Sequence, residues 1–295
     1  MYESFYGLKE KPFSILPDPD FLFFGRRHTL AYALLEYGIH NRAGFSVISG
    51  EIGCGKTTLI RHLLNKLDAE LTVGLVTNTH KEIANLLEWI MLAFGQPYEG
   101  LSQVSLYSAF QKFLIEQYGR GRRVVLIVDE AQNLSPSALE ALRMLSNINA
   151  DKDQLLQIIL AGQPQLNDIL QRPDMQQFAQ RVSVQFFIPP LEAGEVERYI
   201  DHRLKVAGRE TPLFSARAVA RIAEATRGIP RSINILCDTA LVYGFSEEAR
   251  CIDVGLVEEV LQDRAQYGIF SQPGESVPAA TNVVSLSDAE KTKLR

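Results

Sequence analysis

The sequence contains little cysteine: three of its 295 residues, at positions 54, 237 and 251. The three lie far apart and form no C-x-x-C pair, which excludes the usual spacing of a zinc site and the density of a disulfide framework. Chains without disulfides are typical of a reducing compartment, so we expect a cytoplasmic protein. Cys54 lies in a glycine-rich stretch, where it is either a small residue that fits the turn or an oxidation-sensitive thiol.

Long apolar runs and an excess of charge are also missing. No stretch approaches the ~18 apolar residues of a membrane span, and Met1–Phe5 lacks the basic and apolar regions of a signal peptide. We therefore expect no direct membrane insertion, and we expect any link to a membrane to be made through a protein partner.

The formal net charge of −5 is not that of a general nucleic-acid binder, although the sequence still allows a local basic face. The hydrophobic content of 46% suffices for one large domain, or for a core with a smaller second domain.

What the sequence does contain is a glycine-rich phosphate-binding pattern. The apolar run Phe45–Ile48 predicts a strand, Gly50–Thr57 follows the pattern Gly-x-x-x-x-Gly-Lys-Thr, and Thr58–Leu64 has helical spacing. Glycines let the backbone N–H groups face one point, and the helix N-terminus adds partial positive charge there. Lysine reaches the β- and γ-phosphates of a nucleotide, and the threonine hydroxyl binds Mg²⁺. The predicted ATP-binding residues are Gly50, Glu51, Ile52, Gly53, Cys54, Gly55, Lys56, Thr57 and Thr58.

A second acidic motif follows a buried strand. Val124–Val128 is a nearly continuous β-branched run, typical of a parallel strand that is covered on both faces, and it ends in Asp129 and Glu130. We expect Asp129, together with Thr57, to hold Mg²⁺, and Glu130 to polarise the attacking water. An acid adjacent to the metal ligand favours hydrolysis of ATP over mere binding.

Two further polar residues follow later strands. Gln163 comes after the apolar run Leu155–Leu160 and is a candidate for holding the nucleophilic water, or else a loop or capping residue. Arg181 precedes Val184–Ile188, where it is a candidate to reach a neighbouring subunit's nucleotide site. Arg172 is its rival for that role, and a plain surface arginine is the third interpretation.

The pattern becomes purely helical beyond Pro189 and Pro190. Gly228 predicts the end of one helix and Pro230 the start of the next, which places Arg231 on a first helical turn. There we expect Arg231 to reach the γ-phosphate when the helical region closes. The predicted fold class is therefore α/β, with a five-stranded parallel sheet covered by helices on both faces, followed by an all-helical lid. The predicted lid helices are Glu195–Val206, Ala216–Thr226, Ser232–Tyr243 and Val254–Tyr267.

The two ends of the chain differ in composition from its middle. Residues 1–28 are rich in aromatics and proline, and we expect them to pack on the core that spans residues 29–190. The helix predicted after Arg26 is either a wall for the adenine base or simple packing. The lid spans residues 191–267, and residues 268–295, rich in Ser, Pro, Ala and Thr, predict a disordered tail.

The motifs occur in the order found in AAA+ ATPases, and further stretches resemble one family of them. The residues from Met1 to about Gln266 are similar to the A-type ATPases of the bacterial general secretion pathway. The stretches that carry the resemblance are Tyr2–Phe13, Pro17–Pro19, Phe24–His28, Val128–Leu134 and Leu160–Leu166. The opening stretch is the most specific of them.

The resemblance implies ATP hydrolysis with Mg²⁺, self-assembly into a ring, and a cytoplasmic motor that joins the inner membrane through a protein partner. Secretion, pilus assembly and exopolysaccharide export are the settings known for the family. Larger members continue into a membrane helix and a peptidoglycan-binding domain, whereas the present sequence resembles the stand-alone ATPases of exopolysaccharide and exosortase systems. Transposition helpers share the same core, so an ATP-switched DNA-binding protein is the alternative. A nucleotide-gated scaffold with negligible turnover is the third hypothesis.

Overall fold

The computed structural model describes residues 1–66, 70–77, 85–150 and 153–267. In this part of the chain a five-stranded parallel sheet precedes a group of four helices. The strands are β1 (Phe45–Gly50), β2 (Leu71–Val76), β3 (Arg123–Val128), β4 (Asn149–Ala150), β5 (Asp153–Gln154), β6 (Leu156–Gly162) and β7 (Val182–Ile188). The large sheet has the order β2-β3-β6-β1-β7, and β4 and β5 form a separate antiparallel pair.

Burial follows each strand's position in the sheet. The central strands β1 and β6 are buried at every residue, and β3 at every residue but its first, as their unbroken apolar runs predict. The edge strands β2 and β7 are only partly buried, because each has a neighbour on one side alone. The sequence interpretation missed only β4 and β5, since two-residue strands carry no detectable alternation.

Among the described residues, eight α-helices precede the lid and four form the lid itself. The first eight are α1 (Glu3–Tyr6), α2 (Arg26–His40), α3 (Lys56–Lys66), α4 (Leu86–Ala93), α5 (Gln103–Gly119), α6 (Pro136–Leu145), α7 (Gln165–Leu170) and α8 (Gln176–Ala179). One apolar cluster joins one face of the sheet to α4, α5 and α6, and another joins the opposite face to α2 and α3. Helices therefore cover both faces, which confirms the predicted fold class.

The lid helices are α9 (Ala193–Val206), α10 (Ala216–Thr226), α11 (Pro230–Ser246) and α12 (Val254–Tyr267). Their starts follow local signals: the Ser215 hydroxyl accepts a hydrogen bond from the backbone N–H of Ala218, and Pro230 occupies the first turn of α11. Two lid helices are longer than predicted. Helix α9 starts two residues earlier because Glu192 and Glu195 form a capping box, and α11 reaches Ser246.

The first half of the N-terminal segment packs against the lid, and not on the ATPase core as expected for all of residues 1–28. Tyr2, Tyr6 and Phe13 are buried in the same apolar cluster as the residues of α9, α10, α11 and α12. The second half also contacts the core: Leu22 joins the cluster that contains α2 and α3, and Phe24 packs against Tyr32 and His62. The physical reason is that the lid helices have a wide apolar surface which the sheet domain, already covered on both faces, leaves open.

Within residues 1–66, 70–77, 85–150 and 153–267, no helix is long and apolar enough to cross a bilayer. The predicted tail at residues 268–295 lies outside the described residues.

Candidate functional site

The glycine-rich loop connects β1 to α3, as its sequence pattern predicts. Gly53 has φ +83°, and a Cβ atom there would lie 2.5 Å from the Cβ of Arg231, so only glycine fits at this position without displacing the lid. The backbone N–H of Arg231 donates to the carbonyl of Gly53 at 3.2 Å. The loop is therefore held between its own helix and the first turn of α11.

Lys56 is enclosed by the loop that precedes it. Its Nζ donates to the carbonyls of Gly50 at 2.7 Å and Glu51 at 2.9 Å, and the residue is buried. Burial lowers the pKa of the Lys56 ammonium, with nearby thiol and carboxyl groups acting in the opposite direction. A desolvated cation with only neutral carbonyl partners in hydrogen-bond contact is well matched to a phosphate anion.

Thr57 and Asp129 meet although 72 positions separate them in sequence. The Thr57 hydroxyl donates to Oδ2 of Asp129 at 2.8 Å, because β1 and β3 end at the same edge of the sheet with only β6 between them. Asp129 is buried, and its second carboxylate oxygen accepts the backbone N–H of Glu130 at 2.9 Å. A hydroxyl and a carboxylate are the oxygen ligands that Mg²⁺ takes in nucleotide sites, so the pair fits a Mg²⁺-nucleotide.

Glu130 has a left-handed backbone, with φ +52°, which is uncommon for a residue with a side chain. Its Oε2 accepts hydrogen bonds from Nε2 of Gln132 at 2.6 Å and from Nε2 of Gln163 at 3.2 Å. Gln132 also accepts the backbone N–H of Gln163 at 2.9 Å. The strained turn and the two glutamines hold the Glu130 carboxylate in one orientation beside the loop.

Gly228 and Arg231 place the lid against this site. Gly228 has φ +72°, and a Cβ atom there would lie 2.0 Å from the carbonyl oxygen of Leu191, at the start of the lid. The Gly228 carbonyl in turn accepts the backbone N–H of Leu191 at 2.9 Å. The Arg231 side chain is exposed at the edge of the loop, in the position that the sequence interpretation expected.

A cavity of about 190 Å³ joins the loop to the lid. The N-terminal stretch from Ser14 to Phe23 forms one wall, and His28 is the only residue of α2 in the described lining. The remaining lid residues of the lining are Leu191, Tyr199, Arg203, Pro230 and Asn234. The wall opposite the loop is therefore built by the N-terminal segment, and α2 contributes its first turn alone.

His28 joins the first turn of α2 to the phosphate loop. It is buried, and its Nε2 is 2.9 Å from the carbonyl oxygen of Cys54. Burial lowers the pKa of His28, so the neutral ring donates to this carbonyl at physiological pH. The contact holds the middle of the loop in place from the side of α2.

Cys54 is fully buried under the loop, and burial raises the pKa of its thiol to about 11. The thiolate is the reactive form, so at neutral pH Cys54 is protonated as well as shielded from reagents. This geometry favours the simpler of the two interpretations of Cys54, a small residue that fits the turn.

We expect a thiol reagent such as N-ethylmaleimide at pH 7 to label Cys251, which is exposed, and to leave the buried Cys54 and Cys237 unlabelled. Mass spectrometry of tryptic peptides reports the labelled positions, and protein unfolded in guanidinium serves as the control in which all three cysteines react. Rapid labelling of Cys54 in the folded protein would contradict this environment and restore the oxidation-sensitive interpretation.

Arg181 lies at the opposite edge of the sheet from the loop. It directly precedes β7, whose first residue pairs with Phe45 at the start of β1, whereas the loop follows the end of β1. A strand of six residues separates the two edges by about 17 Å. Arg181 is half-buried and donates to the Ser146 hydroxyl at 3.2 Å, and its rival Arg172 is exposed and paired with Asp174 at 2.8 Å. Arg181 is therefore not placed to act on the loop of its own subunit.

Comparison with known proteins accords with this geometry. Residues 39–170 match the family model described as an AAA domain. General secretion pathway protein A of Aeromonas hydrophila is 39% identical over 247 residues, which cover 83% of this chain and 45% of that protein. The chain is an AAA protein of the general secretion pathway A type. It spans less than half the length of this curated relative.

Several solved structures share the fold at low sequence identity. Cdc6p of Pyrobaculum aerophilum matches with a TM-score of 0.66 and 17% identity, over 83% of this chain and 70% of that one. The ORC1 protein of Aeropyrum pernix, solved in complex with DNA, matches with a TM-score of 0.64 and 19% identity, over 87% and 71%. RuvB of Thermotoga maritima matches with a TM-score of 0.53 and 17% identity, over 81% and 70%. Such likeness establishes the fold alone.

Sequence interpretation missed four residues that the structure places at the site: Gln132, His28, Arg203 and Asn234. Gln132 carried a signal, because it lies two positions after Glu130 within the motif that resembles the family. His28 carried the same kind of signal, because it lies in the similar stretch Phe24–His28. Arg203 and Asn234 carried none, since each reaches the cavity only through the packing of the lid.

Proposed function

We propose that this protein binds and hydrolyses ATP with Mg²⁺, and that the state of the nucleotide sets the position of its lid. The observation that carries the proposal is the convergence of Lys56, the Thr57–Asp129 pair and Glu130 at the carboxyl edge of one sheet. The segments that follow two strands distant in sequence, β1 and β3, contribute these residues, and a purely structural loop has no need of such an arrangement.

The chemistry divides among the residues as follows. Backbone N–H groups from Gly50 to Gly55 and the N-terminus of α3, with Thr58 in its first turn, bind the phosphates, and Lys56 contributes a desolvated positive charge. Thr57 and Asp129 are the residues that would hold Mg²⁺, which neutralises charge on the phosphates when it is bound. Glu130 orients a water and accepts its proton, while Gln132 and Gln163 hold the carboxylate that does so.

Arg231 links the nucleotide site to the position of the lid. It is attached to α11, its backbone contacts the carbonyl of Gly53, and its side chain is free to turn toward a γ-phosphate from the lid side. Loss of that phosphate removes the attraction, so the lid closes more tightly on ATP than on ADP. A role for Arg181 in catalysis would require assembly, because an arginine at the far edge of the sheet is out of reach of the loop of its own subunit.

Arg181→Ala is expected to retain ATP binding and to lose turnover by about 10³-fold or more, because an arginine supplied in trans has this effect in related chemistry. Mixing Arg181→Ala with Lys56→Ala subunits should restore part of the activity, since some interfaces then combine an intact loop with an intact arginine. Steady-state phosphate release measures both effects. Arg172→Ala is the matched comparison: if it loses turnover and Arg181→Ala does not, the roles of the two arginines are exchanged.

The cellular role that we propose is a motor or switch for an envelope assembly or export system. The support is the similarity to general secretion pathway protein A, which covers 247 residues and so extends beyond the AAA match at residues 39–170. Such a role implies a ring of identical subunits, a cytoplasmic site of action and a protein partner at the inner membrane.

Sedimentation with membranes distinguishes this role from DNA binding. We expect the ATP-loaded protein to sediment with inner-membrane vesicles of the source cells, and not with protein-free vesicles of the same lipids, because the partner is a protein. Retention on duplex DNA that weakens steeply as salt rises would favour the DNA-binding alternative instead. Binding to neither membranes nor DNA in the presence of ATP would remove both roles and leave the nucleotide site unaffected.

A further inference from the structure

Helix α2 begins without a side-chain cap of its own. Its N-cap residue is Gly25, which has no side chain to accept the N–H groups of the first turn. The acceptor comes from the lid instead: the backbone N–H of Arg26 donates at 3.1 Å to Oε1 of Glu195, which lies in the first turn of α9. A carboxylate 169 positions away in sequence therefore caps the helix that precedes β1.

Gly25 leaves the room that this contact needs. A Cβ atom at position 25 would lie 2.9 Å from Oε1 of Glu195 and 3.2 Å from the ring of Phe23. A side chain here would therefore push the carboxylate away from α2. The backbone of Gly25 has φ −64° and ψ 166°, which any residue can adopt, so glycine is needed here for space and not for its backbone conformation.

The same carboxylate also caps its own helix. Oε2 of Glu195 accepts the backbone N–H of Glu192 at 3.2 Å, so each oxygen serves the N-terminus of a different helix, one in the lid and one in the core. Glu195 is 6% exposed, and Arg198, 4.0 Å from Oε1, is largely exposed and screened by solvent. The two N–H donors, at helix ends whose dipoles favour negative charge, are what stabilises the buried carboxylate.

Two residues after Arg26, α2 contacts the phosphate loop. Nε2 of His28 donates to the carbonyl of Cys54 at 2.9 Å, and a Cβ atom at Gly55 would lie 3.4 Å from the same nitrogen. The peptide between Cys54 and Gly55 is trans, so its C=O and N–H groups point in opposite directions. Holding the Cys54 carbonyl toward α2 therefore turns the N–H of Gly55 away from α2, and this N–H is one of the loop donors that we expect to bind phosphate.

We infer that Glu195 is a positioning residue of the nucleotide site, which couples the start of the lid to the phosphate loop by way of α2 and His28. The inference rests on the proposed function, because it concerns the geometry of the same ATP site. This route is separate from Arg231, which contacts the loop from α11. The loop has its phosphate-binding geometry while α9 is docked on α2, and by reciprocity a bound nucleotide favours that docking.

The test compares Glu195→Ala with Glu192→Ala, and the ligands are Mg²⁺-ATP and Mg²⁺ with inorganic tripolyphosphate. Each variant removes one half of the capping box of α9, so both should melt at a lower temperature than the wild type. Only Glu195 also accepts the N–H of Arg26, so we expect the Kd for both ligands to rise about tenfold in Glu195→Ala alone. Equal affinities of the two variants would show that Glu195 only caps α9, and would overturn the inference. Weaker binding of ATP with tripolyphosphate unaffected would also overturn it, because the loop binds the phosphates.

A serine at position 25 provides a rescue that a role confined to α9 does not allow. In Glu195→Ala the space beside Gly25 is free of the carboxylate, and the ring of Phe23 has to move by only a few tenths of an ångström. Gly25→Ser can then cap α2 from its own N-cap position. The double variant Gly25→Ser, Glu195→Ala should recover most of the lost affinity for both ligands. An affinity no higher than that of Glu195→Ala would overturn the inference.

His28→Ala tests the other end of the route, and it keeps the inference testable if Glu195→Ala is poorly folded. Alone it should weaken both ligands by about the same factor as Glu195→Ala. The two changes combined should weaken them no further, because both release the same peptide of the loop. Unchanged affinity of His28→Ala, or additive losses in the double variant, would overturn the inference. Retained binding of both ligands by Lys56→Ala would instead overturn the ATP site itself.

Discussion

Lys56→Ala should lose ATP affinity by about a hundredfold or more, because it removes a charge-assisted contact to two phosphates at once. The variant should nevertheless remain folded. Lys56 is a buried cation whose pKa is lowered by desolvation. Replacing Lys56 by alanine therefore removes a buried charge that costs folding free energy in the nucleotide-free protein. We therefore expect an unchanged or slightly higher melting temperature without ATP, and no further rise when ATP is added.

Isothermal titration and thermal melting with and without Mg²⁺-ATP measure these two effects. Lys66→Ala is the matched control, since Lys66 lies at the other end of the same helix and is exposed to solvent. That variant should keep both the affinity and the rise in melting temperature on ATP binding. If Lys56→Ala binds ATP as tightly as the wild type does, the loop is not the nucleotide site.

Glu130→Gln is expected to bind ATP at least as tightly as the wild type does, and to reduce turnover by about 10²–10⁴-fold. Both described hydrogen bonds to the Glu130 side chain end on the same oxygen, so a glutamine amide oxygen can accept them and preserve the geometry. What disappears is the proton acceptor, together with a negative charge that repels the γ-phosphate. The variant should therefore accumulate in its ATP-bound state.

Single-turnover measurements with radiolabelled ATP separate binding from cleavage in this variant. Glu140→Gln is the control, because Glu140 is a carboxylate on the surface of α6 that pairs with Arg143 at 2.6 Å, away from the loop. Normal turnover by Glu130→Gln would show that another group activates the water, and would direct attention to Gln132 and Gln163.

Much of the fold follows from sequence because its signals are local. The buried strands are unbroken apolar runs, the lid helices begin at residues such as Ser215 and Pro230, and Val254–Tyr267 is helical over the predicted range. The order of the motifs along the chain also predicts which strand ends meet, because parallel strands bring their carboxyl ends to one edge. Gln163 at the end of β6, between β1 and β3, is an example.

The surroundings of the site did not follow in the same way. The aromatic opening was expected on the core, yet it packs on the lid, because its sequence shows that it must be buried without showing against which surface. Arg203 and Asn234 look like ordinary helix residues until α9 and α11 bring them to the carbonyl of Ser14.

The phosphate loop and the acidic pair could be recognised from the printed sequence, since each depends on the backbone and side chains of a few consecutive residues. The adjacent Gly228–Arg231 turn could be recognised for the same reason. Which elements enclose the cavity beside the loop depends on contacts between residues nearly two hundred positions apart, such as Pro12 and Arg203. Those contacts arise only when the lid helices are packed, so tertiary structure alone decided how this cavity is closed.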